Sequence, residues 1–449
     1  MSTMKGEYSE GVPSQAEELS PQARRAIWGA FIGFFVDNFD IFLPIIALAP
    51  AIAYFIPKSI PPATAGIASA MIFATTLIGR PLGAFIFGHF ADTIGRKRIT
   101  IISVTGFAIV TLLIAVLPGY AQWGSAVIFV FIALRLIDGI FLGGEYTSAS
   151  PLAMEYCPKP KRGLYGALIQ SAAALGTGAI GLVSFAVLLF LPAGGPDAPY
   201  VQWGWRIPFL VGSAMAFGLA IYYQRSVEES QLWRKAVHTK APIKTLFQGE
   251  NLRSFLQVFT VMTGFWLSLN ASLAVIPGLL VTQMAVRGPH LTLALTIGNV
   301  GIAVAYIIGG IVSQRIGRRT YLMATSALSA VVGTYCYYLL INTAPGSFST
   351  ILWLTTLTLV LVVAPGALGT VYINERFRTG VRASGFGLGY SLAIILPAFF
   401  VFYQAALAHL MPFKYTALVL VVIGAVLIFA GAAWGPETKD ADFSAGTGA

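Results

Sequence analysis

The feature that most constrains the fold is a succession of continuous apolar segments, each about 20 residues long or longer. A helix needs about 20 apolar residues to cross the hydrocarbon core of a bilayer. The segments are rich in Leu, Ala and Gly and lack the short alternating pattern of barrel strands, so we predict membrane-spanning helices. Twelve helices are predicted, at residues 27–55, 65–89, 99–118, 125–148, 163–191, 205–224, 254–281, 291–313, 320–342, 349–373, 383–408 and 413–434.

The composition agrees with a protein whose main solvent is lipid. Of the 449 residues, 57% are hydrophobic and 10% are charged, whereas a soluble domain carries about 25% charged residues. Such a chain cannot cover a water-facing surface, which excludes a soluble enzyme and, despite the net charge of +10, a nucleic-acid-binding protein. Four His and two widely separated Cys indicate neither a metal cluster nor a disulfide framework. We expect no cofactor and no metal.

The basic residues are distributed unevenly between the two sides of the predicted spans. Twenty-two of the 28 lysines and arginines fall on one side, four fall on the other, and Arg80 and Arg135 lie within spans. Because positively charged loops remain in the cytoplasm, we predict a multi-pass protein of the cell membrane with both termini cytoplasmic. Residues 1–26 and 435–449 are predicted to be cytoplasmic tails, and the first span is not a cleaved signal peptide.

Two pairs of segments repeat at an offset of about 220 residues. Residues 88–98 match residues 310–320 around a shared Ile-Gly-Arg core, and residues 155–162 resemble residues 375–382. Both pairs indicate duplication of a six-helix unit with parallel topology. We therefore predict an all-α membrane protein with two six-helix bundles at residues 27–224 and 254–434, joined by a cytoplasmic linker at residues 225–253.

The loop after the second predicted span carries Gly88, Asp92, Gly95 and Arg96 at fixed spacing. With its degenerate copy after the eighth span, this loop is similar to the signature of the major facilitator superfamily of transporters. The resemblance extends over essentially the full chain. It implies two bundles that rock about a site near the membrane midplane.

Further matches narrow the resemblance to the metabolite:proton symporters of that superfamily. Residues 33–40 are similar to the first span of that group, residues 79–89 to the second span and residues 134–145 to the fourth. Residues 203–208 and 382–390 also fit the group's pattern.

Three positions and one segment depart from the pattern of these symporters. Asp37 stands where the group usually has Glu, Asn38 where it usually has Trp, and Asp138 where it usually has Gln. Residues 435–439 resemble a sugar-porter ending instead. These departures bear on the substrate and leave the fold expectation unchanged.

Acidic residues at membrane depth are candidates for proton coupling, because a charged side chain there is costly. Asp37 and Asp40 lie near the middle of the first span, and their spacing puts both carboxyl groups on one face of the helix. Two neighbouring carboxyl groups in a low dielectric favour proton binding, so we predict that they couple transport to protons. In the alternative interpretation, an acid pairs with a basic residue and only holds helices together.

Arg135 and Asp138 repeat this spacing in the fourth span. They could form an ion pair within their helix. Alternatively, Arg135 pairs with a first-span Asp or binds the substrate anion, because a guanidinium can hold both oxygens of a carboxylate. Arg80 either extends to the cytoplasmic surface or provides a second anion site. Asp138 is assigned to proton coupling, and both arginines to substrate binding.

The signature loop predicts a gate on the cytoplasmic side. Gly95 permits a tight turn, Asp92 accepts hydrogen bonds from helix N termini or from Arg96, and Arg96 can reach Glu145. Such contacts would hold that side closed while the site faces outward. The other residues assigned to the gate are Gly88 and two expected inter-helix pairs, Glu155 with Arg162 and Glu375 with Arg382.

Polar and aromatic residues near the middle of spans are candidates for substrate contact, although each alone is more commonly a helix-packing residue. The residues assigned to substrate binding besides the two arginines are Asn38, Gln170, Asn270 and Tyr390. Trp266, Asn299 and Tyr306 are further candidates.

Together, the resemblance and the buried arginines imply proton-coupled symport of a small metabolite, an organic acid anion, by alternating access. Two alternatives within transport are a sugar or zwitterion carrier and an exporter of the same fold. A membrane sensor derived from a transporter is an alternative of another class, and it should carry a signalling domain. We expect no enzymatic activity, a monomer in the lipid bilayer, and a small-molecule substrate and protons as partners, without nucleic acid.

Overall fold

The structure is a computed structural model that describes residues 19–57, 62–236, 241–286 and 289–443. Within these ranges the chain is mostly helical and has no strand. Most of the predicted N-terminal tail, four residues of the linker and the last six residues of the C-terminal tail lie outside the described residues. So do four basic residues that contributed to the predicted orientation, Lys5, Lys58, Lys240 and Arg287.

Within the described part of the chain, eleven helical segments are long and apolar enough to cross a membrane. They contain 20–34 residues each, and each coincides with a predicted span. A further helix of 33 residues, α2, extends over Pro62–Ile94 and coincides with the second predicted span. The eleven are α1 (Pro21–Ile46), α3 (Arg96–Ala115), α4 (Ala126–Tyr156), α5 (Lys159–Phe190), α6 (Tyr200–Ser226), α7 (Gly249–Thr282), α8 (His290–Ile316), α9 (Arg318–Ile341), α10 (Phe348–Arg376), α11 (Thr379–Leu407) and α12 (Phe413–Trp434).

The first helix begins and ends earlier than the predicted span 27–55. It begins at Pro21 because Ser20 caps its N terminus, with the Ser20 hydroxyl accepting a hydrogen bond of 3.1 Å from the amide of Ala23. Proline at the first helical position fits this start. After α1, the chain continues as a short 3-10 helix, Ala49–Tyr54. The predicted tail 1–26 is therefore too long, because its last six residues belong to α1.

Several long helices change pitch near the middle of the membrane span. A 3-10 segment that contains Pro365, Ala364–Leu368, interrupts α10. A π-helical segment, Asn270–Ala274, interrupts α7. In α11, the carbonyl of Pro397 accepts a hydrogen bond of 3.1 Å from the side chain of Asn270 in α7. Irregular backbone at membrane depth is thus satisfied by neighbouring helices.

The helices pack mostly within the first six and within the last six. In the first set, α4 packs against α1, α2 and α3, and α3 packs against α6; in the second, α12 packs against α7 and α9, and α8 against α10. Extensive contacts between the sets join α5 to α8 and α2 to α11. At the α2–α4 contact, a methyl group at Gly83 would collide with the backbone of Ile140, and one at Gly143 with the backbone of Arg80. This close approach brings Arg80 against α4.

The predicted linker connects the two sets through two short helices, Gln231–Lys235 and Pro242–Leu246. Because α6 ends at Ser226 and α7 begins at Gly249, the linker is slightly shorter than expected. It lies at the end of the bundle where α1 begins and α12 ends. We call this end the terminal end.

Candidate functional site

Asp37 of α1 and Arg80 of α2 form a two-pronged ion pair inside the protein. Arg80 Nη1 donates to Asp37 Oδ1 over 3.3 Å, and Arg80 Nη2 donates to Asp37 Oδ2 over 3.1 Å. Both side chains are buried. Arg80 therefore points into the protein rather than towards the membrane surface, and Asp37 binds this basic partner rather than Asp40.

A second ionic cluster surrounds Arg135 of α4. Its Nη1 lies 3.0 Å from Asp40 Oδ2 and 3.0 Å from Asp138 Oδ2, so both expected pairings of Arg135 occur together. Its Nε donates to Thr76 over 2.9 Å and its Nη2 to the carbonyl of Asp40 over 3.1 Å. Thr111 of α3 donates to the other oxygen of Asp40 over 2.8 Å. Two carboxyl groups thus share one guanidinium in a fully buried cluster.

The substrate candidates Gln170 and Tyr390 belong to a network that joins the two sets of helices. Gln170 Oε1 of α5 accepts hydrogen bonds of 3.0 Å from Tyr146 of α4 and from Thr370 of α10. The Tyr390 ring of α11 lies 4.8 Å from the Tyr146 ring and 5.1 Å from the Trp266 ring, between ring centroids. Tyr390 also interacts electrostatically with Arg80. The network therefore lies beside the Asp37–Arg80 pair.

The substrate candidates Asn38, Asn270 and Asn299 donate to backbone carbonyl groups. Asn38 donates to the carbonyl of Phe34 over 2.8 Å, and Asn299 to that of Leu295 over 2.9 Å. Asn270 donates to the carbonyl of Pro397 in α11 over 3.1 Å. These contacts are typical of helix packing, so the structure places Gln170 and Tyr390 beside Arg80 but does not bring Asn38 and Asn270 into the same network.

At the terminal end, Asp92 of α2 caps the N terminus of the long part of α11. Its Oδ1 accepts a hydrogen bond of 3.1 Å from the amide of Ala383, and its Oδ2 accepts one of 2.8 Å from the amide and one of 2.7 Å from the hydroxyl of Ser384. Gly88, one helical turn before Asp92, has no side chain and so leaves space for the backbone of Ser384. These contacts join the first set of helices to the second.

Arg96 and Arg382 share the carboxylate of Glu155 at the end of α4. Arg96 Nη2 lies 2.9 Å from Glu155 Oε1 and 3.5 Å from Asp92 Oδ1. Arg382 Nη1 donates to the same Glu155 oxygen over 2.6 Å. Arg96 also donates to the carbonyl of Thr379. The cluster again includes residues from both sets of helices.

The second copy of the signature loop builds a corresponding cluster. Arg318 binds both oxygens of Glu375 over 3.2 Å, in the place where Arg96 contacts one oxygen of Glu155. Gln314 accepts a hydrogen bond of 3.1 Å from the amide of Gly163 at the start of α5, as Asp92 does at the start of α11. Gly95 and Gly317 precede α3 and α9 with φ of 117° and 98°, a region that side-chain-bearing residues rarely adopt.

Three expected gate contacts are wrong. Arg96 binds Glu155, while Glu145 lies farther from the terminal end and faces Gly33 of α1. Glu155 does not pair with Arg162; it faces Arg96 of its own helix set and Arg382 of the other set. Glu375 does not pair with Arg382; it faces Arg318 of its own set. Sequence spacing could not reveal these partners, since they come from distant parts of the chain.

An acid followed by a hydroxyl residue, after α6 and again after α12, completes each cluster. Glu229 accepts a hydrogen bond of 3.0 Å from the amide of Lys97, and Glu437 accepts bonds of 2.7 and 3.0 Å from the amides of Arg318 and Arg319. The neighbouring hydroxyls of Ser230 and Thr438 donate to Glu155 and Glu375. These four residues were not predicted, although comparing the ends of the sixth and twelfth spans would have revealed the shared Glu-Ser and Glu-Thr pairs.

Phe443 closes the terminal end between two arginines. The guanidinium carbon of Arg162 in α5 lies 3.6 Å from the ring centroid, and that of Arg382 in α11 lies 3.9 Å from it. Arg162 Nη1 donates to the carbonyl of Ala441 over 2.7 Å, and Thr379 donates to the carbonyl of Phe443 over 3.0 Å. The chain after α12 therefore connects both sets of helices.

Within the described ranges, no group of three or more His, Cys, Asp or Glu side chains is arranged to hold a metal ion. The site is instead built from carboxyl, guanidinium, amide and hydroxyl groups. These groups can bind protons and polar or anionic small molecules.

Comparison with known proteins gives related sequences along most of the chain. Residues 26–237 match the family model described as sugar (and other) transporter. The chain is 28% identical over 413 residues to the inner membrane metabolite transport protein YhjE of Escherichia coli, covering 87% of this chain and 89% of that protein. The shikimate transporter of Escherichia coli is 26% identical over 420 residues, covering 88% and 90%. The alpha-ketoglutarate permease of the same bacterium is 28% identical over 389 residues, covering 85% and 87%.

Solved structures with low sequence identity share the fold. The proton:xylose symporter XylE bound to 6-bromo-6-deoxy-D-glucose aligns with a TM-score of 0.76 and 17% identity, covering 94% of this chain and 97% of that one. FucP in its outward conformation aligns with a TM-score of 0.69 and 13% identity, covering 91% and 98%. Both solved proteins are described as major facilitator superfamily members.

Proposed function

We propose that this chain, which resembles the metabolite:proton symporters of the major facilitator superfamily in its sequence and fold, is a transporter that carries an organic acid anion together with protons. It is not an enzyme. Alternating access proceeds by rocking of two six-helix bundles, one from α1 to α6 and the other from α7 to α12. The helix packing supports this division, because most helix contacts lie within one set or the other, while α5–α8 and α2–α11 form the interface between the sets.

The observation that carries the proton coupling is the excess of carboxyl groups around Arg135. Asp40 and Asp138 both lie 3.0 Å from one guanidinium atom in a cluster that is at most 1% exposed. An unpaired charge at membrane depth costs about 3 kcal/mol or more. One proton shared by the two acids removes the surplus charge, so the cluster binds a proton in this closed arrangement and releases it where water enters.

The Asp37–Arg80 pair supports recognition of an anionic substrate. Arg80 holds Asp37 through two hydrogen bonds, which is the geometry by which a guanidinium holds any carboxylate. A substrate carboxylate therefore competes with Asp37 for Arg80, next to Gln170 and Tyr390. The relatives named for shikimate and alpha-ketoglutarate transport carry carboxylic acids, which supports the same class of substrate.

The clusters at the terminal end serve as the gate that keeps that side closed. Asp92, Arg96, Glu155 and Arg382 connect the bundles, so these contacts must break when the site opens there. The excess of Lys and Arg in the loops of this end supports a cytoplasmic location for it and for both termini. The protein works as a monomer in the inner or plasma membrane.

Uptake into proteoliposomes tests the proposal. With an imposed pH gradient, acidic outside, we expect accumulation of a carboxylate such as shikimate or alpha-ketoglutarate, and loss of that accumulation when an ionophore collapses the gradient. Asp40→Asn is expected to abolish gradient-driven accumulation, whereas Asp197→Asn, in an exposed loop between α5 and α6, retains it. Uptake of xylose or betaine without uptake of any organic acid would reject the anion assignment. Uptake that does not depend on the pH gradient would reject the coupling.

A further inference from the structure

Glu145 of α4 is a buried carboxyl group that none of the contacts above uses. Its side chain is 0% exposed, and neither carboxyl oxygen has a hydrogen-bond partner among the described residues. It lies two helical turns from Asp138 towards the terminal end, and three turns before Glu155. Glu145 is therefore located between the central ionic clusters and the gate.

The groups that face Glu145 do not neutralise a negative charge. On α1, a methyl group at Gly33 would collide with the carboxyl, so that helix presents bare backbone there. On α6, the nearby Tyr223 hydroxyl is buried and also unpartnered. The charged groups that interact with Glu145 are Asp37 and Arg80, and both hydrogen bonds of Arg80 to a carboxylate go to Asp37.

A charge count over the central region gives the same result. Four carboxyl groups, those of Asp37, Asp40, Asp138 and Glu145, face two guanidinium groups, those of Arg80 and Arg135. All six side chains are at most 3% exposed. If every acid were ionised, two negative charges would remain unpaired in a low dielectric, which strongly disfavours that state. One surplus charge lies at Asp40 and Asp138, and the other lies at Glu145.

We propose that Glu145 binds a second transported proton, holding it as a neutral carboxylic acid while the terminal end is closed. This inference rests on the proposed proton symport and adds a stoichiometry of two protons to it. When the gate opens, water reaches Glu145, its O–H bond breaks, and the proton passes to that water, leaving a hydrated carboxylate. Glu145 is thus a proton-binding residue on the path between Asp37 and the gate.

The matched variants Glu145→Gln and Glu155→Gln test whether each carboxyl group is protonated or ionised in the folded protein. Gln has the shape of a protonated Glu, so Glu145→Gln should unfold in detergent at the same temperature as the wild type. Glu155→Gln should unfold at a lower temperature, because it removes a carboxylate shared by Arg96 and Arg382. Infrared spectra of the full chain should contain a carboxylic acid C=O band that is absent from Glu145→Gln. A Glu145→Gln protein that is destabilised or fails to fold, or that keeps every carboxylic acid band, overturns the proposal.

Proton flux completes the test in proteoliposomes. Simultaneous measurement of proton and substrate uptake should give a ratio that falls by half in Glu145→Gln, from two protons per substrate to one. An unchanged ratio contradicts the second proton site. If the wild type shows no proton-driven uptake at all, the proposed symport fails, while the infrared and unfolding results still decide whether Glu145 is protonated.

Discussion

At the scale of single residues, the stability of the central region depends on matching every guanidinium to several acceptors. Arg135 donates to the Asp40 carboxylate, to the Asp40 carbonyl and to Thr76, so its charge is compensated by groups from two other helices, α1 and α2. A buried ion pair adds little net stability compared with apolar residues, but removing one member leaves an uncompensated charge and is costly. The side chains around Arg135 therefore depend on one another.

This dependence predicts a rescue. Arg135→Gln is expected to lower the free energy of unfolding by about 3–5 kcal/mol, because Asp40 and Asp138 then lie together without a cation. Adding Asp40→Asn to Arg135→Gln should recover most of that loss, while gradient-driven uptake stays absent. Unfolding of the purified proteins in detergent measures the effect, and a double variant no more stable than Arg135→Gln would show that the cluster is not held by charge balance.

At the scale of elements, side chains from elsewhere in the chain satisfy the N termini of several helices at the terminal end. The first amides of a helix lack partners within it, and the helix dipole favours a negative charge there. Glu437 fills this role for α9 and Asp92 for α11, while Gln314 bonds the start of α5. Each cap comes from another helix or, for Glu437, from the segment after α12. The stability of these helix ends therefore depends on how the helices are arranged.

Loss of the charged cap on α9 should be measurable. Glu437→Gln is expected to weaken the first turn of α9 by about 0.5–1 kcal/mol, which corresponds to roughly two- to fivefold faster amide exchange at residues 318–321. Hydrogen exchange with mass spectrometry measures it. Glu250→Gln is the matched control, since Glu250 is almost fully exposed and lies 3.8 Å from Arg378, which is also exposed. Equal exchange in both variants would contradict a capping role for Glu437.

At the scale of the whole molecule, several contacts at the terminal end cross between the two sets of helices. Phe443 lies between Arg162 of α5 and Arg382 of α11, and Asp92 of α2 bonds the start of α11. Cys157, between α4 and α5, is buried beside these contacts, and burial raises its pKa to about 12. Since the thiolate is the reactive form, the closed end leaves this cysteine nearly unreactive at neutral pH.

Cys157 therefore reports on opening of the terminal end. In a Cys336→Ser background, Phe443→Ala should increase the rate of maleimide labelling by about tenfold or more at neutral pH, because opening hydrates the thiol and lowers its pKa towards about 8.5. Phe413→Ala is the control, as Phe413 is exposed at the opposite end of α12. The same slow labelling in Phe443→Ala and Phe413→Ala would exclude Phe443 as part of the gate.

Much of the architecture follows from local sequence, because bilayer thickness and backbone hydrogen bonding leave long apolar segments few alternatives. Every long helix coincides with a predicted apolar segment. The repeated Ile-Gly-Arg loops also predicted two equivalent turns, and Gly95 and Gly317 adopt them. The predicted ends of the first helix were less accurate. Ser20 sets its start by capping, and prolines after residue 43, which lack an N–H group, set its end, and hydropathy reveals neither effect.

What the sequence alone determined about this protein is the set of apolar helices and the presence of costly charges at membrane depth. The tertiary structure decided which charges meet: Asp37 with Arg80, Asp40 and Asp138 with Arg135, Arg96 and Arg382 with Glu155, and Glu145 with no partner among the described residues. Hydropathy and spacing act over one helix, where i, i+3 neighbours can be identified. Pairing between helices depends on their rotation and close approach, which glycines such as Gly83 and Gly143 set through contacts with residues about 60 positions away.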